Sequence, residues 1–294
     1  MVDGVVVRVL EVIIPVFSVV LVGLVYGRYS DADLSGFNKI SIDVLTPMLV
    51  YTALASKDSN LHEIMPLLFS LVLLICGCGV LAWLLARLTN IDPRSLVPVV
   101  MFNNCGNMGL PLALLAFGPS GFNAAVALFA LNNLLQFSLG TRVMSPSAQS
   151  RDLLKSPVLV ASVLGFLSFS VDFRPPELIF STMKMMGEAS LPLMLFALGM
   201  RLNSLKSSDL LDGLIGALAR PIIGLSLAWL ISTLFALEGT NKGLLILFGA
   251  LPPPVIQYML AEKYRQEPHL VAAMVMAGNA MAIVFVPIAL YFVM

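Results

Sequence analysis

Phe102-Asn-Asn-Cys-Gly-Asn-Met-Gly-Leu-Pro111 and Leu251-Pro-Pro-Pro254 are the two stretches whose reading decides the fold of this 294-residue chain. Both stand in the middle of long apolar runs, and neither can continue a regular helix. Pro111 has no N–H for the carbonyl of Asn107 and disfavours helical geometry at Leu110, while Gly106 and Gly109 permit backbone angles that other residues avoid. Three consecutive prolines likewise take the usual donors from the carbonyls of Phe248, Gly249 and Ala250. Hydrocarbon cannot satisfy such groups, so both breaks are expected to be buried in protein or to line a wet cavity, facing each other. Each break also starts a half-helix near mid-bilayer, around Met108 to Pro111 and around Pro254, with free N–H groups and roughly half a positive charge. Two such ends together make an anion site.

The chain around the breaks is 59% hydrophobic and 12% charged, too apolar to hide inside one water-soluble core. Apolar runs of the length that crosses hydrocarbon as a helix fill nearly all of it. They predict an all-α membrane protein with ten spans: Val9–Tyr26, Ile40–Ala55, Ile64–Ala86, Leu96–Phe117, Phe122–Gly140, Pro157–Val171, Met185–Met200, Leu210–Ala236, Gly243–Glu262 and His269–Val293. The first run follows Asp3 and Arg8 without a small-residue cleavage site and is expected to stay as a span. Cys76, Cys78 and Cys105 all fall inside spans and are expected to be packing residues. The loops after odd-numbered spans hold eleven Lys and Arg and the opposite side five. Short basic loops stay cytoplasmic, which predicts a multi-pass protein of the cell membrane with both termini extracytoplasmic. Arg220, inside a span before Pro221, reads either as drawing anions inward or as snorkelling toward cytoplasmic headgroups, the latter being the expectation, and His62 and His269, at span ends, are expected to be solvated.

The chain repeats itself once. Lys39, Asp43 and Pro47 recur at the same spacing as Lys184, Glu188 and Pro192, 145 residues later, each set followed by a Met/Leu pair and an aromatic. Ala127-Leu-Phe-Ala-Leu-Asn-Asn133 answers Ala273-Met-Val-Met-Ala-Gly-Asn279 at an offset of 146. The halves are residues 1–140 and 157–294, joined by a short polar linker, 141–156. Five spans per half place the halves in opposite orientations, an inverted repeat of the kind that supports alternating access. Asp43 and Glu188, each four residues after a lysine, read either as a proton-linked gate including Lys39 or as interfacial Lys–acid pairs.

Between Ser95 and Thr141, Gly243 and Ala261, and Leu270 and Met294 no Asp, Glu, Lys or Arg occurs. The polar groups at membrane depth are amides, which donate without carrying charge, together with the backbone of the breaks. The candidate substrate contacts are therefore Asn103, Asn104, Gly106, Asn107, Gly109, Asn133, Pro252, Pro253, Pro254, Gln257 and Asn279, and the expected cargo is a small organic anion. Asn132 reads equally well as helix-to-helix glue. No H-E-x-x-H, paired aspartates or G-x-S-x-G stands within a span, so no enzyme, cofactor or metal site is expected, and no nucleic-acid partner. A channel is the competing transport reading, although channels usually repeat a filter around a symmetry axis.

Asn104-Cys-Gly-Asn-Met-Gly-Leu-Pro-Leu112 and Leu251-Pro-Pro-Pro-Val-Ile-Gln-Tyr-Met-Leu-Ala-Glu-Lys-Tyr264 resemble the auxin efflux carrier family, whose superfamily includes the bile-acid sodium symporters. The resemblance covers the whole chain. It implies ten helices in a five-plus-five inverted repeat with broken, crossing helices four and nine, a homodimer, and elevator transport against a scaffold of spans one, two, six and seven. It also implies an organic anion at the crossover, against Asn104, Asn107 and Pro252 to Pro254, such as an auxin-like acid or a dicarboxylate. The sodium-coupled relatives hold an acidic residue at their crossover and this chain has none there, so sodium coupling is not carried over; the driving ion stays open, with proton coupling as one reading and a sodium-coupled symporter as the alternative. The long central loop of many plant members is absent between these halves.

Overall fold

The computed structural model describes residues 2–30, 34–56, 61–146, 156–203 and 207–294, and every element among them is helical. Lys57, Lys206 and most of the linker, with Arg151 and Lys155, lie outside the described residues, as does the side chain of His62. In chain order the helices are α1 (Val2–Tyr29), α2 (Leu34–Ile40), α3 (Thr46–Leu54), α4 (Leu61–Thr89), α5 (Pro93–Met101), α6 (Leu110–Leu135) and α7 (Thr141–Met144). After the linker come α8 (Pro157–Ser170), α9 (Glu177–Leu202), α10 (Ser207–Leu234), α11 (Gly239–Ala250), α12 (Ile256–Tyr264) and α13 (Pro268–Val293).

Prolines account for much of this division. A π-helical turn, Ser41–Leu45, joins α2 to α3, and another, Cys105–Gly109, leads into α6. Each stands just ahead of a proline, Pro47 or Pro111, which cannot donate to the carbonyl four residues back. The ladder widens by one residue instead: Thr46 N–H donates to Ser41 O and Leu110 N–H to Cys105 O. A third π turn, Gln136–Gly140, carries the helix on into α7, so the helical stretch runs past the expected end of the fifth span at Gly140.

Six helical runs among the described residues are long and apolar enough to cross a membrane: Gly4–Tyr29, Ile64–Thr89, Pro93–Met144, Glu177–Leu202, Gly213–Leu234 and Pro268–Val293. The third is 52 residues long. Straight, it would extend about 78 Å, more than twice the ~30 Å hydrocarbon thickness. It is not straight: the chain leaves the helix at Phe102 to Asn104, and Gly118 adopts φ 68° and ψ −168°, a conformation open to glycine, and turns the chain ahead of Pro119. Where the sequence predicts further spans the helices are shorter than a crossing: α2 with α3, the 14-residue α8, and α11 with α12 on either side of the second break. The chain leaves α4 and α10 alike, through left-handed residues 146 positions apart, Asn90 (φ 55°) and Ala236 (φ 48°).

The helices pack in two sets. α1 lies along α9, and α3 packs on α8 and α9; α10 lies along α13 and α11, α4 along α5, and α12 on α13. Small residues allow these close approaches: a side chain at Gly23 or Gly199 would strike the backbone of the facing helix at Phe196 or Val20, and one at Gly213 would strike Ala273. Large apolar residues on α1 and α8 face outward, among them Leu21, Val22, Val163 and Leu164, each at least half exposed. An exposed apolar belt on helices of this length is the surface that lipid covers. Cys76, on α4, is exposed and does not pack as expected, because its face of the helix points outward, whereas Cys78 and Cys105 are buried as expected. His269 is exposed at the start of α13.

Candidate functional site

Both breaks are built from residues that leave the helix in extended geometry, Phe102 (φ −107°, ψ 161°) after α5 and Leu251 (φ −60°, ψ 143°) after α11. They touch. The N–H of Asn104 donates to Pro252 O at 2.8 Å, a backbone bond from one break to the other. Side-chain amides complete the contact. Asn103 Nδ2 donates to Phe248 O at 2.8 Å, and Asn104 Nδ2 donates to Asn279 Oδ1 at 2.8 Å. Asn279 Nδ2 in turn donates to Pro253 O at 2.9 Å and to Val275 O at 2.8 Å.

The carbonyls orphaned by the prolines find a further donor that sequence reading placed elsewhere. Arg220 does not snorkel: it is 1% exposed and points into the breaks. Its Nε donates to Phe102 O at 3.0 Å, Nη2 to Phe248 O at 3.0 Å and Nη1 to Gly249 O at 3.3 Å. The reason is electrostatic. The C-terminal ends of α5 and α11 each carry about half a negative charge, and lipid-depth carbonyls without donors are costly. One guanidinium answers both needs.

The opposite ends of the breaks open elsewhere. A cavity of about 170 Å³ lies between the two helix sets. Gly106 and Asn107, at the start of the helical segment leading to α6, line it, and so do Pro254, Val255 and Ile256 at the start of α12. Both N-terminal half-helix ends therefore border one space, while both C-terminal ends are held by Arg220. Asn103, Asn104, Asn133 and Gln136 add amides to the wall. From the facing set come Ser41, Thr46 and Arg201. Ser41 Oγ, Thr46 Oγ1, Asn103 Oδ1 and Gln136 Nε2 are buried and have no hydrogen-bond partner among the described residues. Apolar surface closes the rest: Phe37, Phe129, Phe137, Val158, Met194 and Met259.

Six of the expected contacts thus border the cavity: Asn103, Asn104, Gly106, Asn107, Asn133 and Pro254. The others serve the breaks or pack beside them. Pro252 and Pro253 supply carbonyls, Asn279 bridges the two breaks, and a side chain at Gly109 would press Leu251 Cδ1 at 2.7 Å. Gln257 is fully buried, neither of its amide atoms has a hydrogen-bond partner among the described residues, and it is not part of the cavity wall. Lys39, Asp43 and Glu188 are exposed and lie outside that wall; Glu188 pairs with Lys184 at 3.8 Å. Arg201 and Gln136 were legible only in part. Arg201 stands in the last turn of α9 and reads as a loop charge, and Gln136 stands away from both breaks; the signal for each is polarity near the end of an apolar span.

A membrane-embedded helical protein with paired helix breaks beside a cavity lined by amides and apolar side chains defines the class of multi-pass transport proteins. The chain belongs to the membrane transport protein family, whose model matches residues 8–156 and 148–290. It is similar to the uncharacterized transporter MJ1031 of Methanocaldococcus jannaschii, with 25% identity over 90% of this chain and 92% of that protein. An uncharacterized transporter of Methanothermobacter thermautotrophicus is 26% identical over 95% of this chain and 96% of that one.

Proposed function

We propose that this transporter is a secondary carrier of a small organic anion, which binds with its carboxylate in the cavity against the two N-terminal half-helix ends. The observation that carries this reading is the division of the breaks: both positive ends border one cavity and both negative ends meet Arg220. About half a positive charge from each N-terminal end, together with Arg201 on the facing wall, favours an anion. Unpartnered Ser41, Thr46, Asn103 and Gln136 atoms supply uncharged hydrogen-bonding capacity, and the phenylalanine walls favour an organic body.

The proposed architecture is ten crossings in a five-plus-five inverted repeat with crossing broken helices, the termini extracytoplasmic. The matched left-handed residues Asn90 and Ala236, and the backbone bond between the breaks, support it. In the proposed motion the set containing α4 to α7 and α10 to α13 slides as an elevator against α1 to α3, α8 and α9. The cavity between the two sets supports this, since such sliding would carry its wall from one side to the other. Asp43, Glu188 and Lys39 are proposed as the proton-linked gate of this cycle.

Uptake into proteoliposomes of mono- and dicarboxylates and indole acids tests the proposal, with sodium and pH gradients imposed separately. Saturable uptake with counterflow is the expected result. Stimulation by the pH gradient that is lost in Asp43→Asn or Glu188→Gln would support the gate. Unsaturable flux without counterflow would make the protein a channel, and sodium stimulation would make it a sodium symporter.

A further inference from the structure

Arg220 brings a full charge to the breaks as well as hydrogen-bond donors. It stands at membrane depth, fully enclosed, and no carboxylate pairs with it among the described residues. Three carbonyl oxygens from two separate breaks converge on it instead, those of Phe102, Phe248 and Gly249. Unwound carbonyls beside half-helix C-terminal ends are the groups with which broken-helix membrane proteins hold free monovalent cations; the Cys78 thiol, 3.9 Å from Nη1, stands beside them. The two C-terminal ends together carry about one negative charge, which one cation balances.

We infer that Arg220 is a tethered cation: its guanidinium fills a carbonyl cage that would otherwise take a cation from solution, so the paired breaks hold together without one. The backbone is shaped for this group. Gly224, one turn beyond Arg220, lies back to back with Gly249; a side chain there would strike Arg220 Nη1, and one at Gly249 would meet Gly224 O at 2.6 Å. α10 and α11 therefore approach closely enough for the planar fork to reach the carbonyls of both breaks, a geometry that a point charge on a lysine stem reproduces only in part. The inference concerns the charge balance of the breaks and is independent of which anion the protein carries.

Thermal unfolding of the purified full chain in detergent tests it, in 20 mM chloride salts of N-methylglucamine, potassium, sodium or guanidinium, a concentration far below the denaturing range of the last. Arg220→Ala is expected to melt below the wild type in N-methylglucamine and to recover by about 2–4 °C in guanidinium, with a smaller gain in sodium or potassium. The wild type is expected to be indifferent to the choice of cation. Where Arg220→Ala yields no folded protein, Arg220→Lys and Arg220→Gln replace it. Lysine keeps the charge and glutamine keeps donors alone, so the lysine variant is expected to melt higher, and the glutamine variant alone to gain from added small cations. An Arg220→Ala protein as stable as the wild type, a loss equal in all four salts, or a glutamine variant matching lysine would each overturn the inference.

Discussion

Asn279→Ala probes the joint between the breaks most directly. The side chain is 2% exposed and makes three hydrogen bonds, accepting from Asn104 Nδ2 and donating to Pro253 O and Val275 O. Val275 lies one turn back on the same helix, so its carbonyl keeps a ladder partner; the Asn104 amide and the Pro253 carbonyl are left without that bond. An orphaned buried polar group costs about 1–3 kcal/mol, while hydrogen bonds between membrane helices average about 0.6 and reach about 1.7 kcal/mol. The low end of the first range applies twice, giving a loss of about 2 kcal/mol. At the usual sensitivity of chains of this size the melting temperature falls by about 4–8 °C. Thermal unfolding of Asn104→Ala, Asn279→Ala and the double variant in lipid nanodiscs reads this out, and the double variant is expected to lose about 1 kcal/mol less than the sum of the singles. Strict additivity, or a shift under about 2 °C for Asn279→Ala, would refute the joint as described.

Asn107→Ala is expected to raise the half-saturation concentration of a transported carboxylate about 2- to 10-fold, the value of a hydrogen bond of about 0.5–1.5 kcal/mol, with the melting temperature unchanged. Arg201→Gln removes the cation from the cavity wall and is expected to weaken carboxylate binding by about tenfold or more, measured as uptake in proteoliposomes. Gly199→Leu is expected to abolish recovery of monodisperse protein on size exclusion, because its side chain would have to occupy the backbone of Val20 on α1. Glu188→Gln is expected to leave the melting temperature within about 1 °C, since its pair with Lys184 is long and exposed.

The site was legible where backbone chemistry writes itself into residue type. Prolines without N–H groups and glycines in mid-span marked both breaks, and the same interruptions implied that each needs protein around it. Asn103, Asn104 and Asn107 could be found because an amide beside a break has few other uses. Arg220 could not be placed this way. Its own helix offers two exits, toward headgroups or into the protein, and the choice depends on carbonyls 118 residues earlier and 28 later in the chain.

By itself, then, the sequence determined that the chain lives among lipid as helices, and where two of them must break, because both facts follow from local apolar length and from missing backbone donors. Only the tertiary structure decided which ends of the broken helices meet which partner. Helix-end charge has no address in one dimension: its neighbours are set by how α10 and α11 approach at Gly224 and Gly249, and by how the two helix sets leave a cavity between Arg201 and the breaks. Close backbone packing selected those partners, and side-chain identity alone could not.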